Sequence, residues 1–333
     1  MTGFRSYFKS HIKQSAKSLI YIFVISVVFT LIISFSGQIV YGYKDDISYK
    51  STLYGPVLVL VFLSYILPVM EFAFFKKRIN LNCAYSLPIS RRAMGTVHFL
   101  TGAITLLGAF SASYLANFIM MLVRGAEHYY LPPMIPHYLL CLLLGFASYA
   151  FMVFVFCEAN TKGDGIWFMI LWTFALALVI GTVQAITNIR FNYNGSIHWL
   201  LIDQITTNIQ RLVESGKSYY SYSAEEFFSS AEVWGWVIWW SIVGIASTVG
   251  LYLTFGKRRM EKTEEESTSY FGYRTLIPLF AITGNLLFAD LFFWIAIEIL
   301  AIIGYTIYRR GFHYKKSDVI VLVGLILFLF ILL

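Results

Sequence analysis

Charge is scarce in this chain: 13% of its 333 residues are Asp, Glu, Lys or Arg, where an average soluble domain carries roughly a quarter. With 58% hydrophobic and 18% aromatic residues beside that, the chain cannot cover itself with polar surface, and a water-soluble globule is excluded. Cysteine is scarce too. Cys83, Cys141 and Cys157 make no paired framework, and the last two lie inside apolar runs, so all three read as packing residues. Also missing is the alternation over about ten residues that marks a transmembrane strand. The runs here are apolar on every face, which sets a β-barrel aside.

Motifs of catalysis are missing as well. His11, His98, His128, His137, His198 and His313 are scattered, with no HExxH and no His/Cys cluster at metal-ligand spacing, so no metal site is expected. There is no GxSxG elbow. Neither Gly216-Lys217-Ser218 nor Gly256-Lys257 has a glycine five residues ahead of its own glycine, so no Walker A loop is present and the chain cannot hydrolyse ATP by that route. No catalytic or cofactor-binding residue is expected in this chain. The net charge of +7 does not point to nucleic acid, because the Lys and Arg residues sit between apolar runs and not on one soluble face. No glycine pair has GxxxG spacing, so that simple helix-pairing face is absent.

What the chain has is long apolar runs. A bilayer core about 30 Å thick needs roughly 20 mostly apolar residues per helical crossing. Such runs cover Leu19 to Val40, Gly55 to Phe75, Met94 to Val123, His137 to Cys157, Ile166 to Thr187 and Trp234 to Phe255. PPMIP at 132–136 stops any helix between the third and fourth. The apolar region from Thr275 to Tyr308 is too long for one comfortable helix and is interrupted near Gly284-Asn285 and Asp290, so two short helices in a hairpin fit it better. Val319 to Leu333 makes a short last run. The reading is an all-α, polytopic helical membrane protein with six spans, a hairpin and a last crossing.

Lys and Arg in short loops mark the cytoplasmic side. An N-terminus inside leaves only Lys44, Lys50, Arg124, Arg190, Arg211 and Lys217 outside. Basic residues on both flanks of 275–308 then require that region to enter and return. Residues 1–18 carry Phe4, Phe8 and Ile12 on one stripe and Arg5, Lys9, Lys13 and Lys17 on its neighbour, the pattern of an interfacial amphipathic helix on anionic lipid. A secretory signal peptide, or a basic flank that only orients the first span, are the competing readings.

Ionisable groups inside a membrane are costly and mark function or pairing. Glu71 near the inner end of the second span, Asp290 near the hairpin apex and Glu298 in the returning helix are the candidates. Glu298 has no second acid or histidine at i+3 or i+4 to form a dyad, so structural pairing is favoured over a proton relay or an intramembrane enzyme. The external stretch 188–233 holds Leu201, Ile205, Ile209 and Leu212 at helical spacing and SYYSYSAEEFFSS at 218–230. It reads as an interfacial helix with an aromatic belt, or as a lid over a substrate path.

The most informative segment lies between the second and third spans: KKRINLNCAYSLPISRRAMG, residues 76–95. Leu81, Ala84, Tyr85 and Leu87 offer an apolar face, Pro88 ends that turn, and Ser90 is placed to cap a helix opening at Arg91. A basic run followed by SLPISRR resembles the segment after the second span in bacterial ABC-2-type transporter permeases, particularly those of Gram-positive bacteria. The six spans, the N-terminal amphipathic helix and the external segment before the sixth span are similar as well, and IEILAIIGYTIYRRGFHYKK resembles the tail of a larger subgroup with extra spans. The resemblance implies a bacterial plasma-membrane exporter subunit for a peptide, drug or lipid-like substrate. It implies a coupling helix at 76–93 that meets a cytoplasmic ABC ATPase, with Lys76, Lys77, Arg78, Tyr85, Leu87, Pro88, Ser90, Arg91 and Arg92 as the contact residues. It implies ATP and Mg²⁺ held by that partner and not by this chain, and a second permease subunit as homo- or heterodimer. The implied division is a helix at 1–18, a core at 19–255, a cytoplasmic linker at 256–274 and additional membrane helices at 275–333. A non-transporting membrane sensor with the same architecture is the alternative.

Overall fold

The computed structural model describes residues 2–35, 39–41, 47–49, 53–80, 86, 88–123, 132–187, 193–215, 226–257, 263–265, 267, 269–287 and 291–332. Among the described residues the chain is all-α apart from a short antiparallel ribbon, β1 (Ile39–Tyr41) and β2 (Ile47–Tyr49), with Val40 opposite Ser48. The helices are α1 (Thr2–Phe35), α2 (Tyr54–Phe72, continued by a 3-10 turn over Ala73–Lys76), α3 (Arg91–Val123), α4 (Met134–Glu158), α5 (Lys162–Thr187), the single turn α6 (Tyr193–Ser196), α7 (His198–Ser215), α8 (Ala231–Phe255), α9 (Tyr273–Leu287), α10 (Leu291–Tyr308) and α11 (Lys316–Leu332). Six of the described helices, α1 to α5 and α8, are long and apolar enough to cross a membrane. The expected hairpin is the pair α9 and α10.

The first two expected segments merge. Between Arg5 and Phe35 there is neither proline nor glycine to stop a helix, and residues 1–18 continue into the first span without a break. That span also ends earlier than its apolar run, at Phe35, with Val40 already in the ribbon. The cap expected at Ser90 is formed, and α8 has one as well. Ser90 Oγ accepts from the Ala93 N–H at 3.2 Å at the start of α3, and Ser230 Oγ accepts from the Glu232 N–H at the start of α8.

The chain divides into two units. The first comprises Met1–Phe72, Ala84–Phe154 and His198–Arg258. In it α1 runs antiparallel to α2, with Thr30 beside Gly55 and His11 beside Glu71, and parallel to α3, with Tyr7 beside His98, Phe23 beside Gly108 and Ser34 bonded to Asn117. Two glycines permit close crossings. A Cβ on Gly108 would lie 2.5 Å from the Phe23 ring, and one on Gly244 would lie 2.7 Å from the Ala147 Cα, so α4 and α8 touch backbone to backbone.

Within the same unit α7 does not project as a lid. Its stripe of Leu201, Ile202, Ile205, Ile209 and Val213 is buried, with Val213 taking the place expected of Leu212. Gln210 Oε1 accepts from the Leu53 N–H, Thr207 bonds to the Tyr54 hydroxyl, and His198 approaches the hydroxyl of Tyr65. The helix therefore runs alongside the first half of α2, from the level of Tyr65 back to that of Leu53. The second unit comprises Ala73–Cys83, Val155–Ile197 and Arg259–Leu333. There Gly304 faces Ile277 and Gly284 faces Ile297, which fixes α9 and α10 as antiparallel. Ala281, Ala301 and Leu325 bring α9, α10 and α11 into one small core.

Candidate functional site

The packing of the first unit brings three chemically active side chains to one point. Glu71 is at the end of α2, His98 near the start of α3 and His11 in the early part of α1, so the antiparallel and parallel pairings above set all three at the same level. Glu71 Oε2 lies 3.0 Å from Nε2 of His11 and 3.0 Å from Nδ1 of His98. The two imidazoles are 4.1 Å apart between centroids, and the Tyr7 hydroxyl lies 3.2 Å from Nε2 of His98. Glu71 and His98 are buried, His11 nearly so. Both rings can present an N–H to the carboxylate, or both can present a lone pair beside it; the second arrangement is a set of three ligands for a cation.

Sequence reasoning saw each of these residues and did not join them. The partners are 27 and 60 positions apart, far from any local metal-ligand spacing, and only helix directions bring them together. One local signal existed: Tyr7 and His11, four residues apart, lie on the face of α1 turned away from the exposed Arg5, Lys9 and Lys13.

The basic segment separates into members of different kinds. Lys76 is 3% exposed; its ammonium donates to the carbonyls of Phe156 at 2.8 Å, Cys157 at 3.2 Å and Ala159, and sits over the Phe156 ring. It neutralises the end of α4 and is not a surface cation, unlike its neighbours in the sequence. Lys77, Arg78, Pro88, Ser90, Arg91 and Arg92 are exposed. Arg78 donates to the Thr263 carbonyl at 2.8 Å and to Glu265 at 3.3 Å, and Arg92 lies over the Tyr252 ring. Ile79, next to Arg78 in the chain, is 75% exposed. Tyr85 and Leu87 lie outside the described residues.

Glu298 accepts from the Asn285 amide at 3.1 Å, across the α9–α10 hairpin; this is the pairing expected of an acid in an apolar helix. Asp290 lies outside the described residues. The second unit also holds an apolar cavity of about 470 Å³, lined among others by Trp167, Leu171, Phe280, Ala281, Ile297 and Ala301, a size and lining suited to an acyl chain or another apolar group. Comparison of the chain with protein-family models, with curated proteins and with solved structures finds no match.

Proposed function

We propose that this chain is the membrane permease subunit of an ABC-2-type transporter. In this reading it exports a peptide, drug or lipid-like substrate and is driven by a separate cytoplasmic ATPase. The observation that carries the reading is the segment KKRINLNCAYSLPISRR at 76–92, which joins the second and third spans and resembles the coupling segment of that family. Its described part supports a docking role: Lys77, Arg78 and Ile79 are exposed where the segment leaves the second span, and Arg91 and Arg92 are exposed where it enters the third, after the bend at Pro88–Ile89. Exposed cations with an exposed apolar neighbour suit an acidic groove on a soluble partner. Gly3, at the start of α1, approaches the Pro88 carbonyl, so movement of this segment would reach the first span directly.

ATP and Mg²⁺ belong to the partner. Nucleotide-driven closure of the ATPase pair would act on 76–93 and favour one of two helix arrangements over the other, as any ligand-driven switch must. A second permease subunit, identical or related, completes the path in the plasma membrane, and the N-terminus faces the cytoplasm. The hydrogen bond from Asn285 gives Glu298 a structural partner within its own hairpin.

The test is affinity capture of the tagged chain from its native membrane. An ATPase with a Walker A loop should co-purify. It should be lost, with membrane insertion retained, when Lys77, Arg78, Arg91 and Arg92 are changed together to Glu. Capture of no ATPase, under conditions that keep a known transporter intact, overturns the proposal.

A further inference from the structure

We infer that His11, Glu71 and His98 form a binding site for a single divalent transition-metal ion of the zinc class, which ties α1 to α2 and α3. The inference is independent of the permease reading. Its basis is the convergence of three donor atoms, one each from His11, Glu71 and His98, that all lie within 4.8 Å of one another. The carboxylate oxygen is 3.0 Å from each nitrogen. Zinc bonds of about 2.1 Å in a tetrahedron place neighbouring ligand atoms about 3.4 Å apart, so each nitrogen–oxygen edge has to open by only a few tenths of an ångström to admit an ion.

The donor chemistry selects the metal class. Two imidazoles and one carboxylate suit zinc and its neighbours, whereas calcium and magnesium favour sets made wholly of oxygen. Three protein ligands leave one position open for water or a small anion, as in zinc sites that bind or activate a molecule. The surroundings fit as well. Tyr7 Oη lies 3.2 Å from Nε2 of His98, the place where a ligating histidine usually donates its second N–H; that bond would fix the tautomer with its lone pair on Nδ1. One anionic carboxylate with two neutral rings would leave a divalent ion only partly neutralised. The fourth position therefore favours hydroxide, chloride or another small anion over a neutral molecule.

The location gives the ion a consequence. The three ligands come from the first three membrane helices, at the end that carries Lys9, Lys13, Arg91 and Arg92, and His11 at the edge of the cluster is 13% exposed, which leaves a path for entry. Bound metal would fasten the N-terminal part of α1 to the ends of α2 and α3 on either side of the 76–92 segment.

The test uses the full-length chain in detergent micelles, stripped with chelator and titrated with Co²⁺ as a spectroscopic probe. One Co²⁺ per chain is expected, with the visible d–d bands of a four- or five-coordinate nitrogen/oxygen site, displaced by Zn²⁺. Zn²⁺ should also raise the Tm of the wild-type chain. Glu71→Gln and His11→Asn should each abolish the cobalt bands, and Tyr7→Phe should keep them while weakening affinity about tenfold. A wild-type chain with neither cobalt bands nor a Zn²⁺-dependent Tm overturns the inference and leaves the cluster a hydrogen-bonded triad; this arm needs no variant to fold. Bands that survive in both ligand variants also overturn it, because the ion then sits elsewhere.

Discussion

An ammonium group withdrawn from water costs several kcal/mol unless its three N–H groups find acceptors. Lys76 has them, in the carbonyls of Phe156, Cys157 and Ala159 at the end of α4, where the helix dipole favours a cation. Replacing Lys76 by Met should therefore take a charged donor away from those carbonyls and lower stability by about 2–4 kcal/mol, seen as a lower Tm in detergent. Lys76→Arg should recover part of the loss. The same substitution at the exposed Lys77 should leave the stability within about 0.5 kcal/mol of its starting value. Two adjacent lysines thus separate a packing effect from any effect on partner binding.

At the scale of elements, the contacts between helices are few and specific. Arg309 and Asp318, both buried, form a two-pronged ion pair at 2.7 and 2.8 Å that holds the end of α10 to the start of α11. Removing one partner leaves the other charge buried, so Asp318→Asn should cost about 3–5 kcal/mol. Limited proteolysis of the 309–318 turn would report it as faster cleavage. In the first unit, the approach of α8 to α4 depends on Gly244, whose Cβ position meets the Ala147 backbone. Backbone cannot rotate away as a side chain can, and Gly244→Val should destabilise by more than about 2 kcal/mol. Gly235, with open space around its Cβ position, should accept alanine without loss; thermal unfolding of the two variants side by side makes the comparison.

At the scale of the whole molecule, basic residues decide which side faces the cytoplasm. In the first unit Lys9, Lys13, Arg91, Arg92 and Lys257 lie at one end of the helices, and basic loops are retained on the cytoplasmic side of a membrane. A cysteine introduced as Lys9→Cys should therefore be labelled by a membrane-impermeant thiol reagent only after the cell is opened. Ser229→Cys, just before α8, should be labelled in the intact cell. The reverse pattern would invert the chain and remove the 76–92 segment from reach of any cytoplasmic ATPase.

The membrane class, the six long spans and the hairpin were legible in the sequence because each depends on local quantities: the length of an apolar run, a proline, a capping serine, a basic flank. Ser90 at the start of α3 and the in-and-return course of 275–308 are of this kind. The union of residues 1–18 with the first span was missed because charge pattern was read as an element boundary where no helix breaker stood. Other features depend on which helices become neighbours, and no window along the chain contains that information. The burial of Lys76 at the end of α4 and the packing of α7 along α2 belong here. So does the meeting of His11, Glu71 and His98, since donors 27 and 60 residues apart become one cluster only when three helices have settled their directions and depths.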